Sequence, residues 1–196
     1  MSINTQGRSH PTLLERRTDE LLAAATEVLV AEPGASLSKV ALAAGVSRTT
    51  LHARFPTRND LLREVARRAM DVCERTVHEV MLLEGERDGG LERLVAALIP
   101  IGPQLSFLWR NPSFDHDDEL GGQWNAVEEE LAAVIHRVHQ SGAIPSGRPV
   151  WWDLFSLLAL VYVAAENIYL GRLASLDAPR LVLATLRGDG GSHGRH

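Results

Sequence analysis

The sequence has 196 residues, of which 45% are apolar and 23% are charged, and its formal net charge is −5. This length suits one compact domain, and the apolar content excludes wholesale disorder. The single cysteine, Cys73, excludes an internal disulfide framework and fits a reducing compartment. No signal pattern opens the sequence, and its longest apolar stretch, residues 154–165, is shorter than the roughly 20 residues that span a bilayer. We therefore expect a cytoplasmic protein without a membrane segment.

The charges are distributed unevenly along the chain. Residues 1–70 hold ten basic and seven acidic side chains, whereas the remainder holds ten basic and 18 acidic ones. Residues 33–59 contain four basic residues, Lys39, Arg48, Arg54 and Arg58, and no acidic residue. A basic segment on an acidic protein favours contact with a polyanion at that segment alone.

The hydrophobic pattern is helical almost throughout, and strand-like alternation is scarce. Residues 1–11 are polar and are expected to form a flexible arm. An amphipathic helix over residues 12–31 is followed by two short helices, over 37–44 and 48–55. A long helix from residue 57 to about residue 83 comes next. Its length, roughly 39 Å at 1.5 Å per residue, is enough to link two subdomains.

Capping residues mark the starts of three of these helices. Ser36 and Ser47 are expected to cap the second and third helices. Thr57 and Asp60 have the spacing of a capping box, with Asp60 where Glu or Gln is usual. Between the two short helices, Gly45 predicts a sharp turn because glycine tolerates a positive φ.

Further helices are predicted in the second part of the chain, beyond a polar break at residues 84–90. The first of them begins at residue 91 and ends at the prolines at 100 and 103, and a single helical turn at 107–111 follows. Three longer helices are predicted after it, over 119 to about 141, over 150–173 and over 178–187. Residues 189–196 are expected to be a disordered tail. The sequence therefore predicts an all-α fold of about nine helices.

Residues 37–55 read LSKVALAAGVSRTTLHARF. Ala41 and Ala44 are small enough for two helices to cross closely. The outward face of the second helix carries short hydrogen-bonding groups and a cation: Arg48, Thr49, Thr50 and His52. Such groups at the N-terminal end of a helix suit the major groove of DNA. The same alanine and glycine spacing also occurs in ordinary helical proteins, where it has only a structural role.

The run LSKVALAAGVSRTTLHARFPTRNDLL, residues 37–62, resembles the DNA-binding domain of the tetracycline-repressor (TetR) family of bacterial transcriptional regulators. The shared features are the A-G-V-S turn, the T-L pair and the pattern F-x-x-(K/R)-x-x-L-L. The resemblance implies a three-helix, helix-turn-helix domain over residues 12–56. It also implies a helical domain for ligand binding and dimerisation over residues 57–188, and a homodimer that binds palindromic operator DNA.

The resemblance further implies which side chains contact DNA. Base or nearby phosphate contacts are implied for Ser38, Arg48, Thr49 and Thr50, and phosphate contacts for Ser47, His52 and Arg58. Lys39 either reaches a phosphate or covers the surface of its own helix. His52 stands where the family commonly has tyrosine, so its reach is shorter and binding would be mildly pH-sensitive.

The helix over residues 150–173 is apolar on nearly every face through residue 165, which favours burial on more than one side. One interpretation is a dimer interface in which this helix and the helix over 178–187 pair with their symmetry mates, as is usual in the family. The other is a central core helix of a monomer. Glu166 and Asn167 interrupt the apolar face, either as an inter-subunit polar contact with Arg172 or Arg180 or as a ligand contact.

The aromatic residues of the second part of the chain predict an apolar effector pocket. Candidate ligand-binding residues are Phe107, Trp109, Trp124, Tyr162 and Glu166. The alternative is that these aromatic side chains only pack the bundle. A pocket of this kind would take a hydrophobic or aromatic effector, with a cation as one option because this part of the chain is acidic. The resemblance implies that effector binding releases the DNA. A repressor rather than an activator is expected only because repressors are the commoner kind in the family, and the sequence itself leaves both open.

The sequence contains no catalytic or metal-binding pattern. His136 and His139 are three residues apart, and His116 lies between two aspartates, but no third ligand at helical spacing completes either set, so we expect no metal. No nucleophile elbow or phosphate-binding glycine loop is present, so we expect no enzyme and no cofactor. The rival hypothesis is a helical ligand-binding or enzymatic protein with a vestigial helix-turn-helix.

Overall fold

The computed structural model describes residues 12–83, 89–145 and 147–188. These residues form nine α-helices and one short 3-10 helix, with no strand, so the predicted all-α fold is confirmed. The predicted arm, residues 1–11, and the predicted tail, residues 189–196, lie outside the described residues. The helices are α1 (Leu13–Ala31), α2 (Leu37–Ala43), α3 (Arg48–Arg54), α4 (Arg58–Leu83), α5 (Gly90–Leu98), α6 (Gly102–Trp109), the 3-10 helix (Pro112–His116), α7 (Asp118–Gln140), α8 (Val150–Tyr169) and α9 (Ala178–Arg187).

The chain divides into two compact units between Leu61 and Leu62, and α4 begins in the first unit and continues into the second. In the first unit α1 packs on α2 and α2 packs on α3. The core of this unit is formed by fully buried apolar side chains, among them Ala25, Val40 and Leu51. The helices α1, α2 and α3 therefore each bury one face in the core.

Side-chain caps fix where the helices of the first unit begin. As predicted, the Ser36 hydroxyl accepts a hydrogen bond from the backbone N–H of Lys39, and the Ser47 hydroxyl accepts one from the backbone N–H of Thr50. The start of α4 carries the predicted reciprocal cap, since the Thr57 N–H donates to Asp60 Oδ2 at 2.8 Å and the Asp60 N–H donates to Thr57 Oγ1 at 3.1 Å. A further capping box, between Thr12 and Glu15 at the start of α1, was not predicted. Such caps typically contribute about 1 kcal/mol each.

The described residues of the second unit form a helical bundle with a large apolar core. The core takes buried side chains from α4, α5, α7, α8 and α9, such as Val77, Leu94, Leu131 and Leu157. In the same unit α6 packs closely against α8. The predicted single turn at 107–111 was wrong, because α6 starts earlier, at Gly102. Pro103 does not prevent this, since it lies in the first turn, where a missing N–H costs no helical hydrogen bond.

Gly102 of α6 lies directly against α8. A Cβ added at this position would lie 2.4 Å from the Ala165 Cβ. We therefore expect Gly102→Ala to lower the free energy of unfolding by about 1–3 kcal/mol, because the two helix backbones must separate. Chemical denaturation with urea measures this loss. Ala165→Gly removes the clashing Cβ but itself costs about 1 kcal/mol, because glycine has a low helix propensity. In the Ala165→Gly background Gly102→Ala should therefore cost much less than in the wild type, and an undiminished cost would contradict the steric explanation.

The predicted helix over 150–173 ends earlier than expected, at Tyr169. Gly171 adopts a φ of 66°, and its N–H donates to the Ile168 carbonyl at 3.0 Å, which closes the helix end. With 20 residues and a mean hydropathy of 1.2, α8 is long and apolar enough to cross a membrane, which the sequence analysis did not anticipate. Its buried residues, such as Leu154, Leu157 and Val161, are part of the bundle core. Core helices of soluble proteins share this composition.

Cys73 lies on the buried face of α4 with 1% of its surface exposed. Burial raises the pKa of its thiol to about 12, so almost no thiolate forms near neutral pH. We expect Cys73 to resist Ellman's reagent at pH 8 in the folded protein and to react fully in guanidinium chloride. Rapid reaction of the folded protein would contradict this placement.

Candidate DNA-binding surface and effector cavity

A tight turn joins α2 and α3. Gly45 has a φ of 66°, and its N–H donates to the Leu42 carbonyl at 3.1 Å. The N–H of Val46 donates to the Ala41 carbonyl at 3.0 Å. This pair of hydrogen bonds is the Schellman motif, which requires the left-handed conformation that glycine adopts without strain. The turn is followed by the first residues of α3, which are exposed.

The first turn and a half of α3 presents polar and cationic side chains to solvent. Arg48, Thr49, Thr50 and His52 are all exposed, whereas Leu51 between them is fully buried. A cleft of about 310 Å³ lies on this surface. Its lining residues are Leu37, Arg48, Thr49, His52 and Pro56. Three of the eight predicted DNA contacts, Arg48, Thr49 and His52, therefore line one cleft. Ser38, Lys39 and Thr50 are also exposed, on α2 and α3.

Several of the predicted DNA contacts also have partners within the protein. Ser47 Oγ lies 2.7 Å from Thr50 Oγ1. Lys39 forms an ion pair with Glu32, the residue immediately before the acid-free segment. Both partners of this pair are about half exposed, so its contribution to stability is about 0–1 kcal/mol and either group can exchange for another charge.

Arg58 has a structural role that the sequence did not indicate. Its guanidinium donates to the backbone carbonyls of Pro33 and Ala35, which belong to the connection between α1 and α2. The side chain thereby attaches the first turn of α4 to this connection. Hydrogen bonds from a charged donor to a backbone carbonyl are among the stronger ones in proteins.

A cavity of about 270 Å³ lies within the second unit. Three of the predicted ligand-binding residues, Trp109, Trp124 and Tyr162, line it, whereas Phe107 is only 2% exposed and lies in the packed interior. The lining is almost entirely apolar or aromatic, and is formed by Met70, Leu105, Leu108, Trp109, Asn111, Pro112, Phe114, Leu120, Trp124, Phe155, Leu158 and Tyr162. Such a lining favours a hydrophobic ligand with aromatic surface.

Tyr162 connects the cavity to a polar cluster at its edge. Its ring is stacked with Trp109 at a centroid distance of 6.3 Å. The Arg110 guanidinium lies over the same ring at 5.5 Å and donates to the Tyr162 hydroxyl from Nε at 3.2 Å and Nη2 at 3.0 Å. Nη2 also lies 2.9 Å from Glu166 Oε2. The hydrogen bond to Tyr162, more than the charge of Glu166, raises the pKa of Arg110, so the cluster holds a permanent cation.

Sequence reasoning missed Arg110. It offered two roles for Glu166, an inter-subunit contact with Arg172 or Arg180 and a ligand contact. Within the chain, the structure pairs Glu166 with Arg110, which lies 56 residues earlier. Tyr162 and Glu166 are four residues apart on α8 and so share a face. That spacing was the available signal for a polar cluster, although it does not identify the partner.

A second ion-pair cluster joins α4 to the start of α7. Arg63 pairs with Asp117 and lies 3.4 Å from Glu119. Asp117 also caps α7, because its carboxylate accepts hydrogen bonds from the N–H groups of Glu119 and Leu120. The hydrogen bond from Leu120, together with the charge of Arg63, lowers the pKa of the Asp117 carboxyl group. Asp117 directly follows the 3-10 helix, whose Phe114 lines the cavity. The cavity wall therefore meets α4 in two ways, directly at Met70 and through the ion pair of Arg63 with Asp117.

The histidines differ in their surroundings. His116 and His136 are exposed, whereas the side chain of His139 is only 9% exposed. Its Nε2 lies 2.7 Å from Oδ2 of Asp153, whose other oxygen lies 2.8 Å from Arg148 Nε. Within the described residues no group of three or more possible ligands could hold a metal ion.

An exposed, cationic helix start after a tight turn is typical of helix-turn-helix proteins, and here it is combined with an apolar cavity in a helical bundle. A family model described as bacterial regulatory proteins, tetR family, matches residues 21–65. The transcriptional repressor LfrR of Mycolicibacterium smegmatis is 33% identical over 156 residues, which cover 78% of this chain and 81% of LfrR. The transcriptional regulator NfxB of Pseudomonas aeruginosa is 30% identical over 164 residues, covering 82% and 87% of the two chains.

A solved structure gives the same result. The crystal structure of LfrR from Mycobacterium smegmatis in complex with proflavine has a TM-score of 0.75 and 28% identity, and the match covers 94% of this chain and all of that one. The chain belongs to the TetR family of bacterial transcriptional regulators. Regulators of this family are soluble proteins that bind operator DNA and small-molecule effectors and act as dimers. The predicted regulatory function is thereby confirmed, and the rival enzymatic hypothesis is set aside because the relatives are transcriptional regulators.

Proposed function

We propose that the protein is a repressor that binds a palindromic operator as a homodimer and dissociates when a hydrophobic or aromatic effector fills the cavity. The observation that carries the proposal is the exposed polar and cationic start of α3 on a surface that lacks acidic residues between 33 and 59. Repression rather than activation is supported by the printed name of LfrR, a transcriptional repressor. The DNA-binding domain spans residues 12–56, and the ligand-binding and dimerisation domain spans residues 57–188.

On DNA, the N-terminal end of α3 enters the major groove. Arg48 donates to a guanine edge, and Thr49 and Thr50 contact bases or a thymine methyl group. The phosphate contacts come from Ser38, Lys39, Ser47, His52 and Arg58, which are polar or cationic. Lys39 exchanges its ion pair with Glu32 for one with a phosphate. Arg58 can bind a phosphate only by breaking its hydrogen bonds to the Pro33 and Ala35 carbonyls, so Arg58 contributes less to DNA affinity than Lys39.

The dimer forms through α8 and α9, within the predicted segments 150–173 and 178–187. These helices expose large apolar side chains, among them Val163 at 52% and Leu181 at 44%. Exposed apolar residues of this size on adjacent helices mark an interaction surface, and a two-fold axis between two copies covers both at once.

This interface gives a direct prediction. The double substitution Val163→Arg and Leu181→Arg should convert the dimer to a monomer at micromolar concentration and weaken operator binding at least 100-fold, because each half-site then binds alone. Light scattering and a gel shift measure the two effects. Leu82→Arg, which alters another exposed apolar residue, on α4, is the matched control and should change neither. A wild-type chain that is monomeric at this concentration would contradict the interface.

The effector acts from the cavity in the bundle. Its apolar lining suits an aromatic molecule, and the relative LfrR has been crystallised with proflavine, a planar aromatic compound. Occupancy displaces the wall formed by the 3-10 helix, and the contact of Asp117 with Arg63 transmits this displacement to α4. Because α4 begins at the DNA-binding domain, its movement changes the spacing of the two recognition helices in a dimer.

The experiment that tests the function is a gel shift with the intergenic DNA upstream of the protein's own gene, repeated at rising salt. The intergenic DNA is divided into short fragments. We expect specific retention of the one fragment that holds the operator, and we expect this retention to weaken as salt rises, since phosphate contacts release counterions on binding. Equal retention of all fragments, or none, would overturn the assignment of the DNA-binding surface. Addition of proflavine to the retained complex tests release.

A further inference from the structure

The Arg110 guanidinium occupies a site with the features of a receptor for a planar cation. One aromatic face, the Tyr162 ring, lies 5.5 Å from it, and the Tyr162 hydroxyl accepts two of its N–H groups. The Glu166 carboxylate supplies the opposite charge at 2.9 Å. A π face, a hydroxyl acceptor and a carboxylate are also the groups that would bind a flat, delocalised organic cation.

This cation site is continuous with the cavity, because Tyr162 belongs to both. Among the described residues that line the cavity, none carries a formal charge. The side-chain amide of Asn111 is held by a hydrogen bond from Nδ2 to the Phe107 carbonyl at 2.7 Å, so its oxygen is left as an acceptor. A cationic ligand in the cavity therefore finds its counter-charge in Glu166, one helical turn beyond Tyr162.

We infer that the effector is a planar aromatic cation and that Arg110 is an internal surrogate that competes with it for Tyr162 and Glu166. The inference rests on the proposed function and specifies the chemical class of its effector. Exchange keeps Glu166 paired, which avoids leaving a carboxylate unpaired at the edge of an apolar cavity. The displaced Arg110, whose side chain is already 27% exposed, gains hydration in return.

Arg110 thereby sets selectivity by charge. A cationic ligand must displace the Arg110 guanidinium from Glu166. The free energy lost in breaking that ion pair is offset only if the ligand forms its own ion pair with Glu166. A neutral aromatic of the same shape gains from the cavity walls alone and does not depend on either charged residue. The two classes of ligand should therefore respond differently to substitutions in the cluster.

The test uses two tricyclic probes of similar shape at pH 7.5, cationic proflavine and neutral acridine, titrated into the full-length protein by calorimetry. Arg110→Gln should tighten proflavine binding about tenfold and leave acridine within twofold, since a competitor and a like charge are both removed. Glu166→Gln should weaken proflavine about tenfold and spare acridine. Glu129→Gln removes the same charge at an exposed position on α7 and should affect neither probe.

Tyr162→Phe provides a second route to the same result. It keeps the aromatic ring and removes the hydroxyl, so Arg110 loses two hydrogen bonds whereas proflavine loses at most one and keeps the ring and Glu166 as partners. Proflavine should therefore bind about threefold more tightly. This variant decides the matter if Arg110→Gln melts at a much lower temperature than the wild type.

The outcomes separate the inference from the proposed function. Unchanged or weaker proflavine binding in the variants at positions 110 and 162, or equal weakening of both probes by Glu166→Gln, would overturn the surrogate role while leaving a DNA-binding regulator intact. Failure of proflavine to bind any of these proteins would also overturn the inference. If the same preparations shift operator DNA, the regulatory function stands without this effector class.

Discussion

Replacement of both Arg48 and Thr50 by alanine is expected to abolish sequence preference in DNA binding while leaving the fold intact. Both side chains are exposed at the start of α3. A good bidentate contact to a base contributes about 1–3 kcal/mol of discrimination, and a dimer on a palindrome makes each contact twice. The loss of the Arg48 contacts alone is then about 2–6 kcal/mol, and the loss of the two Thr50 contacts adds to it. Specific binding exceeds non-specific binding by about 4–10 kcal/mol, so the double substitution removes most of that margin.

The fold should tolerate this double substitution. The helix cap at the start of α3 uses the backbone N–H of Thr50, which donates to Ser47 Oγ at 3.0 Å, so alanine at position 50 keeps that hydrogen bond. Alanine also has the highest helix propensity. Circular dichroism and thermal melting should therefore match the wild type.

A gel shift with operator and scrambled DNA measures the effect. Arg54→Ala is the matched control, because it removes an exposed cation from the same helix, outside its N-terminal turn. It should lower affinity for both DNAs alike, if at all. Undiminished preference in the double variant would mean that another element reads the operator.

The sequence predicted the first unit more completely than the second, and the reason is the range of the interactions. The caps at Ser36, Ser47 and Thr57 and the turn at Gly45 depend on residues within a few positions of each other. Local chemistry therefore determined the helix-turn-helix.

In the bundle, the decisive contacts join distant residues. Arg110 meets Tyr162 across 52 positions, and Arg148 reaches the Leu186 carbonyl across 38. Helical periodicity indicates which face of α8 is buried, but it cannot say which helix covers that face. This is why the aromatic lining was predicted in part and the arginine at its edge was missed.

Asp153 illustrates the same limit. Its position in the first turn of α8 suggests an ordinary acidic residue near a helix N-terminus. In the structure its side chain is 1% exposed and lies between His139 of α7 and Arg148 of the preceding loop. Arg148 Nη2 in turn donates to the Leu186 carbonyl near the end of α9 at 2.8 Å. A single carboxylate thus organises the contacts of three helices.

Asp153→Ala is therefore expected to lower the free energy of unfolding by about 3 kcal/mol, near the lower end of the range for breaking a buried ion pair, because Arg148 is one-third exposed and regains water. For a chain of this length the loss corresponds to a melting temperature about 6–12 °C lower.

His136→Ala, a change at an exposed histidine one turn before His139, is the matched control and should shift the melting temperature by less than about 2 °C. All proteins are compared at one concentration, since dimerisation also stabilises the fold. A small loss in Asp153→Ala would mean that the bundle is held by its apolar core alone and that the charged group only fills space between α7 and α8.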